Sequence, residues 1–150
     1  MTVSKVLFSS EDQTWGTPPE LFERISRSFG PFKLDAATNK YNPLETPYFY
    51  TEKENGLIQP WMNPTFVNPP YGRKLGEWIK KAYVESVLGN RVAMLIPART
   101  DTKWFHQYIY NRPKVEVMFL KGRLKMWDYN LNKPHPHSAP FPSMVVVFRP

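Results

Sequence analysis

Two consecutive prolines, Pro69 and Pro70, directly follow the apolar run Phe66-Val67 and Asn68, and they set the strongest local constraint in the chain. Proline fixes φ and carries no amide hydrogen. Each residue before a proline is pushed toward extended geometry. Asn68-Pro69-Pro70-Tyr71 is therefore predicted to be a rigid hook at the end of a strand Thr65–Val67. Such a hook exposes a carboxamide, backbone carbonyls and an aromatic ring. An amino group needs acceptors and a planar base needs a face to stack on, and the hook offers both.

The flanking sequence alternates between helical and strand patterns. Thr17-Pro18-Pro19-Glu20 has the form of a capping box with proline at the first helical position. Leu21, Phe22, Ile25 and Phe29 then fall on one helical face, and Gly30-Pro31 ends the helix. Phe32-Lys33-Leu34 reads as a short strand ending at Asp35, and residues 38–60, punctuated by Pro43, Pro47, Gly56 and Pro60, as mostly loop. A helix is predicted from Leu75 to Val87, with Gly89 as its cap. Val92–Ile96 is continuously apolar, as a parallel strand buried on both faces would be. Thr102 can cap a helix carrying Trp104, Phe105, Tyr108 and Ile109. Val115–Leu120, Leu124–Trp127 and Met144–Phe148 read as strands, the last two pairing antiparallel across the proline-rich segment 128–143. This order predicts an α/β sheet with right-handed crossovers. Ligands of such sheets bind beyond the carboxyl ends of the strands, where Asp35, Asn68 and Pro97 fall.

Composition narrows the class. A chain of 150 residues with 15% aromatics has the size and apolar content of one folded domain, 1–150, with 1–14 expected to be a flexible N-terminal segment. There is no cysteine, which excludes disulfides, thiolate metal sites and a cysteine nucleophile and suits a cytoplasmic protein. No apolar run has the length of a membrane span, and Met1–Ser10 lacks the pattern of a secretory signal. The net charge of +7 is uneven. Residues 1–70 hold 6 basic and 8 acidic side chains, whereas residues 71–150 hold 14 and 5. A polyanion would bind the second half through its phosphates, although a solvated basic face gives the same composition.

Several segments together resemble the phage-type DNA N-6-adenine methyltransferases (Dam-like). They are Trp15-Gly16-Thr17-Pro18 with Leu21-Phe22, Leu34-Asp35-Ala36-Ala37, and Asn55-Gly56-Leu57 followed by Trp61. Val67–Tyr71, Leu95–Thr100 with Trp104-Phe105, Gly122-Arg123-Leu124 and Pro140–Ser143 continue the series in order. Two positions depart from the family. Asp35-Ala36-Ala37-Thr38 replaces the glycine-rich turn common after the first strand of methyltransferases, and Asn55 stands where an acidic residue is more usual.

The resemblance implies an abbreviated Rossmann-like, S-adenosylmethionine-dependent methyltransferase fold with a mostly parallel sheet and a C-terminal antiparallel hairpin. It implies methyl transfer to a flipped-out adenine in double-stranded DNA by a monomeric, phage- or prophage-encoded enzyme that needs no metal. Asn68, Pro69, Pro70 and Tyr71 would be catalytic. Trp15, Thr17, Pro18, Asp35, Ala36, Asn55 and Gly56 would bind the cofactor. Arg73, Lys74, Arg99, Lys103, Arg123 and Lys125 would contact DNA.

Structural readings stand beside these. Thr17-Pro18 opens a helix whose free N–H groups suit the cofactor carboxylate, or is a plain cap. Asp35 accepts from the cofactor or from its own loop. Tyr71 stacks on the base or packs in the core. The basic residues bind DNA or are merely solvated. His135 and His137 have no third ligand nearby in sequence, so an exposed or DNA-facing loop is the preferred reading over a metal site. A protein-glutamine methyltransferase and a nucleic-acid-binding module without catalysis are the competing functions.

Overall fold

The computed structural model describes residues 16–150. The expectations for residues 1–14 and for Trp15 lie outside the described residues. A central six-stranded sheet has the order β2-β1-β3-β4-β8-β5, and a separate two-stranded ribbon pairs β6 with β7. Helix α1 (Pro19–Phe29) precedes β1 (Leu34–Asp35) and β2 (Tyr48–Phe49). A 3-10 turn (Gly56–Ile58), β3 (Thr65–Val67), helix α2 (Leu75–Val87) and β4 (Val92–Pro97) follow. A π-helical turn (Phe105–Ile109) leads to β5 (Val115–Phe119), then β6 (Trp127–Asp128), β7 (Lys133–Pro134) and β8 (Ser143–Phe148). The sheet is mixed, with β2, β1, β3 and β4 parallel and β8 antiparallel to both of its neighbours.

Two apolar layers sandwich the sheet, and strand alternation assigns residues to them. Val92, Met94 and Ile96 of β4, with Met144, Val146 and Phe148 of β8, pack with Leu75, Trp78, Ile79 and Ala82 of α2. Ala93, Leu95, Val145 and Val147 face the other way, onto Leu21 and Ile25 of α1. Every residue of β4 and β8 is buried. This explains why both read as unbroken apolar runs rather than as alternating ones.

Several elements differ from the sequence reading. The capping box does not form. Pro18 is the N-cap of α1 and no side chain caps the helix, because the Thr17 hydroxyl is engaged elsewhere. Leu124–Trp127 does not pair with Met144–Phe148. β6 pairs instead with β7, while β8 inserts between β4 and β5. Insertion gives β8 two ladders and two covered faces, which its apolar sequence demands, whereas a hairpin with 124–127 would leave one edge bare. The segment after Thr102 does turn, and Thr102 Oγ1 accepts from Phe105 N at 3.2 Å. Its bonding is largely of the π type, closed by Tyr110 N donating to Phe105 O at 2.8 Å. Residues 38–60 contain β2 and the 3-10 turn. β2 is only two residues long, too short for periodicity to reveal.

The chain runs outward from β1 to β2, then returns to place β3 on the other flank of β1. The strand order thus reverses between β1 and β3. Crevices at such switch points, beyond the carboxyl ends of the strands, are where open α/β sheets bind ligands. Gly56 sits against this crevice, and an added Cβ there would lie 2.2 Å from Ala36 O. Gly56→Ala is therefore expected to lower stability by about 1–3 kcal/mol, read as a reduced urea midpoint at unchanged slope.

Candidate active site

A cleft of about 560 Å³ opens at the switch point. Its walls come from the turn after β1 (Asp35 to Asn39), the hook after β3 (Asn68 to Lys74), Thr51 and Glu52 after β2, and Tyr129 of the ribbon. Of the residues singled out in the sequence, Thr17, Asp35, Ala36, Asn55 and Gly56 line it together with Asn68, Pro69, Pro70, Tyr71, Arg73 and Lys74. Pro18, Arg99, Lys103, Arg123 and Lys125 are not on its lining. Those four basic side chains are exposed.

Asn68 stands one residue beyond β3, where the prolines end the ladder. Its Nδ2 donates to Thr17 Oγ1 at 3.1 Å. Its Oδ1 accepts from the Tyr71 hydroxyl at 2.5 Å, and that hydroxyl also lies 3.0 Å from Leu95 O. Desolvation raises the Tyr71 pKa far above the phenol range, opposed only in part by the charge of Arg99. The group thus remains a donor. The Tyr71 ring packs edge-on against Phe141 at 5.7 Å, and the Arg99 guanidinium lies 5.7 Å from the centre of the Phe141 ring. Thr17 is 3% exposed. Its carbonyl accepts from the Tyr129 hydroxyl at 2.6 Å.

Asp35 closes β1 and is 2% exposed. Burial raises its pKa to about 7, against the opposing effect of hydrogen bonds from the Ala37 amide and the Thr38 side chain. No salt bridge is formed by Asp35 among the described residues. A buried carboxylate on a cleft wall without a cationic partner is poised for a positively charged or hydroxyl-bearing ligand. Tyr129 is pushed up to about 12 by burial and then by the nearby Asp35 carboxylate.

Asn55 has φ of 59°, in the left-handed region that asparagine tolerates. Its Oδ1 accepts from Leu57 N at 3.2 Å, capping the 3-10 turn. The carboxylate nearest in sequence on the lining is Glu52, three residues after β2. Sequence reasoning missed it because β2 was hidden in a presumed loop. The available signal was an acidic residue 17 positions after Asp35, close to the spacing at which α/β nucleotide-binding folds place a ribose-binding carboxylate. Tyr129 was missed too. Only the tertiary contact of the ribbon with Thr17 brings it to the cleft.

No helix among the described residues is long and apolar enough to cross a membrane. No group of three or more His, Cys, Asp or Glu among the described residues is arranged to hold a metal ion.

The family model described as DNA N-6-adenine-methyltransferase (Dam) matches residues 4–150. The DNA N-6-adenine-methyltransferase of Escherichia phage T1 is 31% identical over 112 residues, a match covering 73% of this chain and 45% of that protein. The DNA N-6-adenine-methyltransferase of Haemophilus phage HP1 is 29% identical over 153 residues, covering 100% of this chain and 86% of its own length. The chain thus spans less than half of the first of these relatives and most of the second.

Burial of Asp35 makes the stability of the protein depend on pH. Its folded-state pKa of about 7 exceeds the ordinary 3.8, so the folded form holds the proton more tightly than the unfolded form does. Stability is then lost as pH rises from about 4 to 7, by an amount on the order of a few kcal/mol. Asp35→Asn cannot ionise there. Urea unfolding of both proteins at pH 5 and pH 8 should show the variant gaining stability relative to wild type at the higher pH.

Proposed function

The chain belongs to the DNA N-6-adenine-methyltransferase (Dam) family, and on that premise we propose that it transfers a methyl group from S-adenosylmethionine to the exocyclic N6 of an adenine in double-stranded DNA. One observation carries the proposal. The Asn68 carboxamide is held rigidly at the carboxyl end of β3, on the wall of the cleft that Asp35 also lines. The strand order, with β8 antiparallel in an otherwise parallel run, supports an abbreviated Rossmann-like methyltransferase fold in a single domain. The phage origin of the relatives supports a place in the cytoplasm of a phage-bearing host, and the proposed enzyme acts as a monomer.

The cleft suits the cofactor on chemical grounds. Its volume lies in the range of small-molecule sites. Asp35 offers a buried acceptor for the cofactor's ammonium or ribose, and Glu52 offers a second carboxylate. Ala36, Leu57 and Trp78 supply apolar and aromatic surface for its adenine. When bound, S-adenosylmethionine supplies an electrophilic methyl group on a sulfonium.

The chain's own residues then act on the target amine. Its lone pair is delocalised into the purine ring and makes it a weak nucleophile. Asn68 Oδ1 keeps a lone pair beyond the one used by Tyr71, and with the Pro69 carbonyl it accepts the amine hydrogens. These acceptors favour a pyramidal nitrogen and stabilise the positive charge that grows on it. The prolines fix the Pro69 carbonyl in advance, and the bonds to Thr17 and Tyr71 hold the carboxamide, so little orientation is left for the moment of reaction. The target base must leave the duplex first. Tyr71 contributes its hydroxyl to Asn68 and its ring to the wall against which the base stacks. Arg73 and Lys74 on the rim, with the exposed Arg99, Lys103, Arg123 and Lys125, contact the DNA backbone.

Transfer of tritiated methyl groups to duplex DNA tests the activity. Asn68→Ala is expected to lower the rate about a hundred- to a thousand-fold while leaving the fold and cofactor affinity intact. A rate within a few-fold of wild type would remove Asn68 from the chemistry. Tyr71→Phe keeps the ring and should lose less than Tyr71→Ala; equal losses would place the whole effect in the hydroxyl.

DNA affinity should depend steeply on salt. Neutralising about five phosphates gives a slope of log K against log salt near −4.5. Arg123→Ala should weaken binding equally on duplexes with and without a target site and flatten the slope by roughly one unit. A loss confined to one duplex would make Arg123 a base-reading residue.

A further inference from the structure

The first turn of α1 leaves one hydroxyl unexplained by helix capping. In the capping-box pattern Thr17 would bond the helix's own amides. Instead Pro18 is the N-cap, no side chain caps the helix, and Thr17 Oγ1 accepts from Asn68 Nδ2, 51 residues away. Thr17 is buried, on the cleft wall beside Asn68. The threonine is itself clamped. Tyr129 donates to its carbonyl at 2.6 Å. The preceding Gly16 pairs both ways with Trp127, at 2.7 and 2.9 Å. A Cβ at Gly16 would lie 2.5 Å from the Tyr129 ring, so any larger residue would force that ring to shift.

A primary carboxamide on a short side chain rotates about two bonds, and a rigid backbone alone does not fix it. Here its two ends are held by different segments, Nδ2 by Thr17 and Oδ1 by Tyr71. We propose that Thr17 is a positioning residue for Asn68, aiming the carboxamide oxygen at the target amine, and that the β6–β7 ribbon sets the position of Thr17 through Tyr129. The proposal rests on the acceptor role of Asn68 given above. It differs from the reading of Thr17 as a ligand of the cofactor carboxylate, because the hydroxyl acts on the acceptor side of the reaction.

Steady-state kinetics with tritiated S-adenosylmethionine and duplex DNA separate the two roles. Thr17→Val keeps the shape and removes the hydroxyl. It is expected to lower kcat roughly ten- to a hundred-fold, the scale of a misplacement of about an ångström, with the cofactor KM and the calorimetric cofactor Kd within about three-fold of wild type. Thr17→Ser restores the hydroxyl and should recover kcat to within about three-fold. Thr17→Ala, which places no methyl opposite the Asn68 amide, is carried alongside in case the valine variant does not fold, and should show the same split. In the Asn68→Ala background either hydroxyl-less variant should cost nothing further, since residues acting as a unit are not additive. A raised cofactor KM with kcat retained, independent losses in the double variant, or a serine variant as impaired as valine would each overturn the proposal. Wild-type protein that labels no DNA, or Asn68→Ala at wild-type rate, would instead remove the catalytic reading itself and the proposal with it.

Discussion

The end of β3 governs the site. β3 lies between β1 and β4, where a strand would ordinarily run on with its neighbours. Pro69 and Pro70 cannot donate to a ladder, so pairing stops at Val67 while β4 continues to Pro97. The peptide freed by that mismatch turns away at the point where the strand order reverses. The cleft, the exposure of the Asn68 carboxamide within it and the return of Tyr71 to Leu95 O all follow from a strand cut short in the middle of a sheet.

What surrounds Asn68 is a compromise between rigidity and solvation. Asp35 and Thr17 are buried polar groups, and burial of this kind is costly unless a partner satisfies it. Thr17 has its partner in Asn68. Asp35 has hydrogen-bond donors but no opposing charge among the described residues, and desolvation by burial raises its pKa. The cleft wall thus lacks a countercharge at buried Asp35 and carries exposed basic side chains at Arg73 and Lys74. A ligand carrying positive charge inward and a polyanion outside would relieve both.

Much of this was legible in the sequence where one local rule suffices. Helix α2 was read at its observed bounds from its apolar face, β3 from the prolines that end it, and β4 from its unbroken apolar run. The gathering of Asp35 with Asn68 followed from strand ends alone. The failures share a cause. The pairing of β8 with β4 and β5, the diversion of the Thr17 hydroxyl and the placement of Tyr129 depend on contacts between segments distant in the chain. Local patterns do not encode such partners. A threonine followed by prolines and a glutamate looks like a cap whether or not a carboxamide 51 residues on competes for its oxygen. β2 and Glu52 escaped for a different reason, since a two-residue strand has no periodicity.

The insertion of β8 between β4 and β5 orders events during synthesis. β4 and β5 emerge from the ribosome before β8, and neither pairs with the other in the sheet. Until residues 143–148 are made, β4 keeps one open edge and β5 has no sheet neighbour at all. The nascent chain therefore carries an unpaired, wholly apolar edge, the kind of surface that recruits chaperones or other nascent chains. The last-made of the described strands is the one that joins β5 to the rest of the sheet, so two of the sheet's five strand pairings are decided by its arrival rather than built up progressively from the first.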